Sequence, residues 1–517
     1  MSRAAVTRSA RTTMQPLWLP LAFIAALGLS SMLPRIAAIP QLRHAFWGAD
    51  AALAAWWAIL VSRAGGRRLR IDVELRPQHY LQAVAHASIF IYWSFYWPPI
   101  ADALPLIAAQ IAFSYAFDWL LVFSRRDTYT LGFGPFPIIF STNLFLRFHD
   151  DWFALQFAMI ALGFVAKELI RWQREGRSVH VFNPSSFPLA IASVVLILTH
   201  TTDHTWGEGI ATQLFLPPQI FFFIFLVALP GQYLFGVSKM TLSAVLTTYA
   251  FSEIYFRATG TYFFIDDHVP IAVFLGMHLL FTDPSTSPSS EQGRVLFGVI
   301  YGLSVVALYS LLARLGAPTF YDKLLPVPIM NLLVPRIDRL SASGRLSWMD
   351  PSRIGRGLAP MRRNLVYTLL WVVTFGAMSA AGGLGDTHPG HRVPFWMTAC
   401  REGRRDGCNV LEQIENRYCS LGSGWACNDL GVLMSAGKLK DNSRTSQAFE
   451  RACALGFAGG CANQALPKGA IPTAGDPGPG DLVLLLREGK GSLPPLSELE
   501  LKQKACLQGW IFACYSR

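Results

Sequence analysis

Long apolar runs recur from Leu17 to about Ala381, separated by short segments that carry most of the arginines. A run of roughly 17 to 25 such residues crosses the hydrocarbon core as a helix. In lipid every backbone N–H and C=O must be bonded within the chain, so spanning structures are helices or closed barrels. Barrel strands alternate apolar and polar residues over about ten positions, whereas these runs are continuously apolar. Only 15% of the 517 residues are charged, against about 25% in soluble domains, and the mean hydropathy is +0.34. The sequence predicts an all-α polytopic membrane protein with the lipid bilayer as its surroundings.

Charge then sets orientation. The formal charge of +11 is spread over loops between apolar runs, as the positive-inside rule requires, and this distribution argues against a nucleic-acid partner. Leu17 to Leu33 follows Arg3, Arg8 and Arg11, but further crossings succeed it without a clear cleavage site, so it reads as a retained helix or signal anchor. Counting runs from a cytoplasmic N-terminus gives about thirteen crossings, in two related bundles plus extra helices. Arg336, Arg339, Arg345, Arg353, Arg356, Arg362 and Arg363 form the strongest basic loop. An odd count leaves the C-terminal region outside. The expected division is extra N-terminal membrane helices (1–79), a membrane domain (80–340), a basic cytoplasmic loop (341–363), a final transmembrane helix (364–382) and a small extracytoplasmic α-repeat domain (383–517).

All eight cysteines follow Trp396. They fall in four pairs, Cys400 with Cys408, Cys419 with Cys427, Cys453 with Cys461 and Cys506 with Cys514, each spaced C-x7-C. Glycine stands three residues after the first cysteine of every pair, at Gly403, Gly422, Gly456 and Gly509. Such repetition marks an internal repeat. The glycine predicts a tight helix-to-helix turn that brings the two cysteines within bridging reach. Four disulfides imply an oxidising compartment, which agrees with the charge-based topology. The competing readings are free thiols and a metal site, but zinc knuckles use a shorter C-x2-4-C spacing and no metal is expected. The copies resemble Sel-type repeats, relatives of tetratricopeptide helix pairs, best over Ala426 to Gln464. There Leu430, Gly431 and Leu433 suit a first helix, and Ala448, Phe449, Ala452 and Cys453 a second. Repeats of this kind imply a protein partner.

Within the apolar region three motifs are particular: VFNPSSFPLA (Val181 to Ala190), LLFTDPSTSP (Leu279 to Pro288) and PVPIMNLLVPRIDRL (Pro326 to Leu340). In this order they resemble the membrane subunits called D in the Rnf electron-transport complex and B in the sodium-translocating NADH:quinone oxidoreductase, over about residues 80 to 340. The resemblance implies two similar helix bundles, other subunits of a membrane redox complex as partners, and a flavin. In that family FMN is attached by a phosphoester to a threonine in a loop motif ending in Ala-Thr. The matching segment is WGEGIATQL (Trp206 to Leu214), which makes Thr212 the candidate. It departs from the family pattern at Trp206, Gly209 and Ile210, so FMN on Thr212 and noncovalent flavin both stand as expectations.

Asn183 and Asp283 occupy matching positions of the two halves, beside Pro184, Pro284 and Pro288, which interrupt helix and free backbone groups for a ligand or ion. Asn331 and Asp338 flank Pro335. Helix capping and bundle glue are equally good roles for all four. His86, Asp118, Lys167, Glu168 and His278 are costly in lipid and are expected to face the bundle interior or its edges. His200, Asp203, His204 and Glu208 surround Thr212 as a wet loop or a cofactor-tuning cluster. The chain shows no nucleotide-binding domain and no C-x2-C iron–sulfur spacing, so it is expected to act through partners in a bacterial inner membrane, with its C-terminal domain periplasmic. The alternatives to an electron-transfer subunit are a flavin-free transporter and an envelope scaffold working through its repeats.

Overall fold

The computed structural model describes residues 17–63, 67, 70–174, 176–265, 267–345, 350–386, 388–439, 441–467, 470–486 and 496–515. Arg3, Arg8, Arg11, Arg68 and Asp266 lie outside them. The described chain is mostly helical with almost no sheet and divides into two compact units, Met1–Thr248 with Ile271–Ala377, and Tyr249–Pro270 with Met378–Arg517. The second unit therefore takes in a mid-chain segment as well as the C-terminal region.

The helices that contribute to the first unit are α1 (Trp18–Ser30), α2 (Pro34–Ala37), α3 (Pro40–Arg63), α4 (Pro77–Ser94), α5 (Pro98–Ala101), α6 (Leu104–Phe123), α7 (Pro135–Phe145), α8 (Phe153–Leu169), α9 (Ser186–Thr199), α10 (Gly207–Gln213), α11 (Ile220–Phe235), α12 (Ser238–Thr259), α13 (Ile271–Leu279), α14 (Glu291–Arg314), α15 (Pro326–Ala342) and α16 (Pro360–Ala380). Proline opens α4, α7 and α15, where its missing N–H costs the helix nothing. Four stretches are long and apolar enough to cross a membrane: Pro40–Arg63, Pro98–Phe123, Asp150–Leu169 and Glu291–Arg314. The apolar run at 131–146, counted among the crossings, forms α7, of 11 residues, and α13 has nine. At 1.5 Å per residue these are about 14 to 17 Å long, roughly half a bilayer core.

Two devices hold these helices together. Gly298 and Gly302 of α14 lie against the backbone of α12; a Cβ on Gly302 would stand 2.8 Å from the Ala244 carbonyl, and one on Gly298 would collide with that of Met240. Small residues four apart admit such close approach. Buried amides supply the second device. Asn143 Nδ2 on α7 donates to Gln110 Oε1 on α6 at 2.7 Å, and Gln156 Nε2 on α8 donates to the same oxygen at 3.2 Å. Two small sheets lie among the helix ends: β1 (Arg70–Val73) pairs parallel with β2 (Thr128–Leu131), and β3 (Arg171–Arg174) pairs antiparallel with β4 (Arg177–His180). Gly132 is required where β2 ends, because a side chain there would strike the Glu74 carbonyl.

The second unit adds α17 (Val393–Arg401), α18 (Gly407–Ser420), α19 (Gly424–Ser435), α20 (Thr445–Ala454), α21 (Ala458–Gln464), α22 (Pro479–Leu485), α23 (Glu498–Leu507) and α24 (Ile511–Tyr515). All four expected disulfides are present. Cys400 is bonded to Cys408 with Cα atoms 4.3 Å apart, and Cys419 to Cys427 at 4.7 Å. Cys453 is bonded to Cys461 at 4.5 Å, and Cys506 to Cys514 at 4.9 Å. None of these eight cysteines is a free thiol. In each pair the first cysteine ends one helix, and the second, Cys408, Cys427, Cys461 or Cys514, lies near the start of the next. Gly403, Gly422, Gly456 and Gly509 all have positive φ, of 65°, 101°, 84° and 97°. In every copy the residue after the glycine donates back across the turn, as in Arg404 N to Ala399 O (2.9 Å) and Phe457 N to Ala452 O (3.0 Å). This is the left-handed helix ending that glycine alone adopts without strain. Trp396, Trp425, Trp510, Leu411, Leu430 and Tyr262 form the core of this unit.

Candidate functional site

The first unit contains a polar cavity of about 680 Å³, within the range of cofactor and substrate sites. Its walls come from four separated stretches of chain: the start of α4, the end of α6 with the β2 strand and the start of α7, the end of α8 with the β3–β4 hairpin and Asn183–Ser185, and the end of α13 with the loop after it. The N-terminal ends of α4, α7 and α9 thus open onto it through Pro77, Pro135 and Ser185; the first amides of α9 are taken by Asn183, and the dipoles of the three helices favour negative charge.

Most charged groups on the wall have a partner in place. Arg126 binds Glu168 at 2.6 Å and Arg76 binds Glu74 at 2.7 Å. His180 Nε2 lies 3.6 Å from Asp283 Oδ2, and Tyr129 Oη donates to Asp118 at 3.3 Å. Burial opposes the Asp283 carboxylate, but His180 and Ser285 outweigh it and hold this loop carboxyl below its ordinary value. Lys167 and Arg171 are exceptions: among the described residues neither makes an ion pair, although Arg171 donates to Ser178 Oγ at 2.9 Å. The Lys167 ammonium and the His79 ring meet over Gly134, where a Cβ would stand 3.9 Å from Lys167 Nζ and 3.6 Å from His79 Cε1. A lysine and a histidine side by side on a cavity wall can together hold an anionic or carbonyl oxygen.

Asn183 and Asp283 both line this cavity and form the same local turn. Asn183 Oδ1 accepts from Ser185 N at 2.9 Å, and Asp283 Oδ1 accepts from Ser285 N at 2.9 Å. The NPSS and DPST motifs are thus two copies of one device. Asn331 ties them together: its Oδ1 accepts from Asn183 N at 3.1 Å and its Nδ2 donates to Thr286 O at 3.1 Å. Asp338 accepts from Arg174 Nη2 at 3.1 Å and from Ser289 N at 3.0 Å. Asn331 and Asp338 are therefore braces of the cavity loops and do not line it. Thr212 lies elsewhere, in α10, with its hydroxyl donating to Glu208 O at 2.9 Å. Beside it His204 stacks on Trp152, ring centroids 4.4 Å apart.

Asp118, Lys167 and Glu168 line the cavity, and His86 and His278 are buried in the bundle, as their cost in lipid leads one to expect. His79, His180 and Tyr129 were not singled out by the sequence. His79 stands just before an apolar run and His180 just before VFNPSS, and polar residues at such run ends were the available signal. Among the described residues no group of three or more His, Cys, Asp or Glu is placed to hold a metal ion. No family model, curated protein or solved structure matches the chain.

Proposed function

We propose that the chain is a membrane electron-transfer subunit of a multi-subunit redox complex and that the polar cavity holds its flavin noncovalently. The observation that carries this reading is the cavity, of cofactor size, with Lys167 and His79 both beside Gly134 on its wall. A flavin there would supply one- and two-electron chemistry. Lys167, a fixed cation in a low-dielectric site, favours added negative charge and so raises the potential of whatever it faces. His79 supplies a hydrogen bond. Thr212 is a poorer attachment point, since its hydroxyl is bonded within α10 and it does not line this cavity.

On this reading the short helices α7 and α13 count with the four long ones toward about thirteen crossings. The Sel-type domain is periplasmic and docks a partner subunit, and the membrane is the bacterial inner membrane. The paired NPSS and DPST turns favour a second reading, a flavin-free transporter built from repeated halves with its site between them.

The test is an absorption spectrum and intact mass of the full chain, purified after coexpression with its partners, before and after denaturation. Flavin released on denaturation, lost at least tenfold in Lys167→Met and retained in Thr212→Ala, supports the proposal. Flavin that stays with the denatured chain and disappears in Thr212→Ala moves the site to α10. A protein that takes up no flavin sinks the redox reading in favour of transport.

A further inference from the structure

Beside the polar cavity lies a smaller pocket of about 30 Å³ between α4, α11 and α13. His278 and Gln232, each 2% exposed, line it. His278 Nδ1 lies 2.7 Å from the Phe274 carbonyl. A carbonyl only accepts, so Nδ1 carries the proton and the neutral ring presents a lone pair at Nε2. Among the described residues that Nε2 has no hydrogen-bond partner, and neither do Gln232 Oε1 and Nε2. Leaving a buried polar atom unpaired costs about 1–3 kcal/mol, and here three such atoms share one pocket. His86 makes the contrast. Its Nδ1 likewise meets a carbonyl four residues back, that of Gln82 at 2.6 Å, but its Nε2 is satisfied by Ser141 Oγ at 3.0 Å.

We propose that this pocket is a water-binding site that extends the polar cavity into the helix bundle and presents His278 Nε2 as its proton acceptor. A single water needs roughly 10–15 Å³ of such space and two to four polar partners, so the pocket has room for about two. Water would donate to His278 Nε2 and Gln232 Oε1 and accept from Gln232 Nε2. The other lining residues are apolar, apart from Gln82 and Thr282. No charged side chain enters from α4, α11 or α13, which suits a neutral ligand better than a metal cation. Gln82 and Leu279 line both the pocket and the large cavity, and Asp283 of the cavity sits in sequence between Thr282 and Pro284 of the pocket. A proton reaching the pocket passes from water to Nε2, giving an imidazolium that keeps its Nδ1–H bond to Phe274, and returns by the same water. This proton role rests on the redox reading of the cavity; the water site does not.

The test uses the full chain in lipid nanodiscs with ¹⁵N-histidine, the Met277–His278 pair being identified by paired labelling so that no variant is needed for assignment. The expected result at pH 7 is an accepting Nε2 with a cross-peak to water, lost in Gln232→Leu. Absence of the cross-peak, or its survival in Gln232→Leu, overturns the site. In protein that binds flavin, reduction should take up about one proton fewer in His278→Gln; unchanged uptake overturns the proton role. The cross-peak needs no cofactor, so failure of flavin binding leaves the water site standing.

Discussion

The two units solve the same problem, keeping helices together, in opposite ways. The first lets helices approach until backbones touch, as at Gly298 and Gly302, and ties them with buried amides such as Gln110 and Asn143. It also turns large apolar side chains outward, with Leu198 74% and Val84 62% exposed. The second buries its tryptophans and staples short helices, of 12 residues in α19 and seven in α21, with four disulfides. Each choice follows from the solvent it suits. Lipid gives apolar surfaces no reason to associate, so close packing and interhelical hydrogen bonds must do so. In water a few short helices bury too little surface to hold without staples.

The sharpest break of this comparison is reduction. Each short disulfide loop is worth about 2.5 kcal/mol by loop-closure entropy, so removing all four bridges should unfold the second unit. Limited proteolysis with and without a reductant, read by mass spectrometry, should show new cuts confined to the second unit. Cuts spread equally over both would refute the division of labour. Next in size, Gly298→Leu should destabilise the first unit by about 3 kcal/mol through overpacking against Met240 and Ser243, measured as a fall in its detergent unfolding midpoint. The disulfide unit should keep its own midpoint.

A smaller effect concerns acid groups. Glu415 and Asp429 lie side by side in the core of the second unit, and two carboxyls can bond only if one keeps its proton. Burial, then Asp429, pushes the Glu415 carboxyl well above its ordinary value of 4.5. Burial raises Asp429 as well, with Glu415 and Arg401 opposing. The other charged groups on the neighbouring helices are turned elsewhere: Glu450 and Arg451 of α20 are exposed, and Asp481 of α22 accepts from Ser423 Oγ at 2.7 Å. The folded state therefore holds a proton that the unfolded chain has lost. Its stability should be full below about pH 4.5 and fall as pH rises through the folded value. Glu415→Gln should flatten this slope and raise Tm at pH 8 by a few degrees; an unaltered slope would show that the pair is not its source. Smallest of all, Lys502→Ala removes only the exposed pair to Glu498, 2.8 Å apart, and should leave Tm unchanged.

Legibility in the sequence tracks how local each feature is. Each disulfide turn, from Cys400 to Cys408 and likewise in the other three copies, is closed by cysteines eight positions apart, so spacing and one glycine sufficed to place it. The likeness of NPSS and DPST could also be read, because each turn is closed by its own side chain two residues on. The cavity could not. Its wall joins His79, Tyr129, Lys167 and His180, which meet only when several helix ends converge, and nothing in any one segment announces the others. Helix length was not legible in the apolar runs either: hydropathy marks 131–146 as apolar but does not show that α7 stops after 11 residues. Asn331 and Asp338 stand out in sequence as polar residues flanking Pro335, yet polarity alone does not distinguish a brace from a ligand.

The membership of Tyr249–Pro270 in the second unit bears on the order in which the protein is made. Tyr262 packs in the same core as Trp396 and Trp425, and Gly385 N donates to Asp267 Oδ2 at 3.1 Å. More than a hundred residues separate these partners. The mid-chain segment of this core therefore leaves the ribosome early and waits, its aromatic face uncovered, until the cysteine-bearing helices follow. A chaperone or a neighbouring subunit has its best opportunity in that interval. For the same reason, expressing the C-terminal region from residue 383 alone would yield a core lacking one of its own walls.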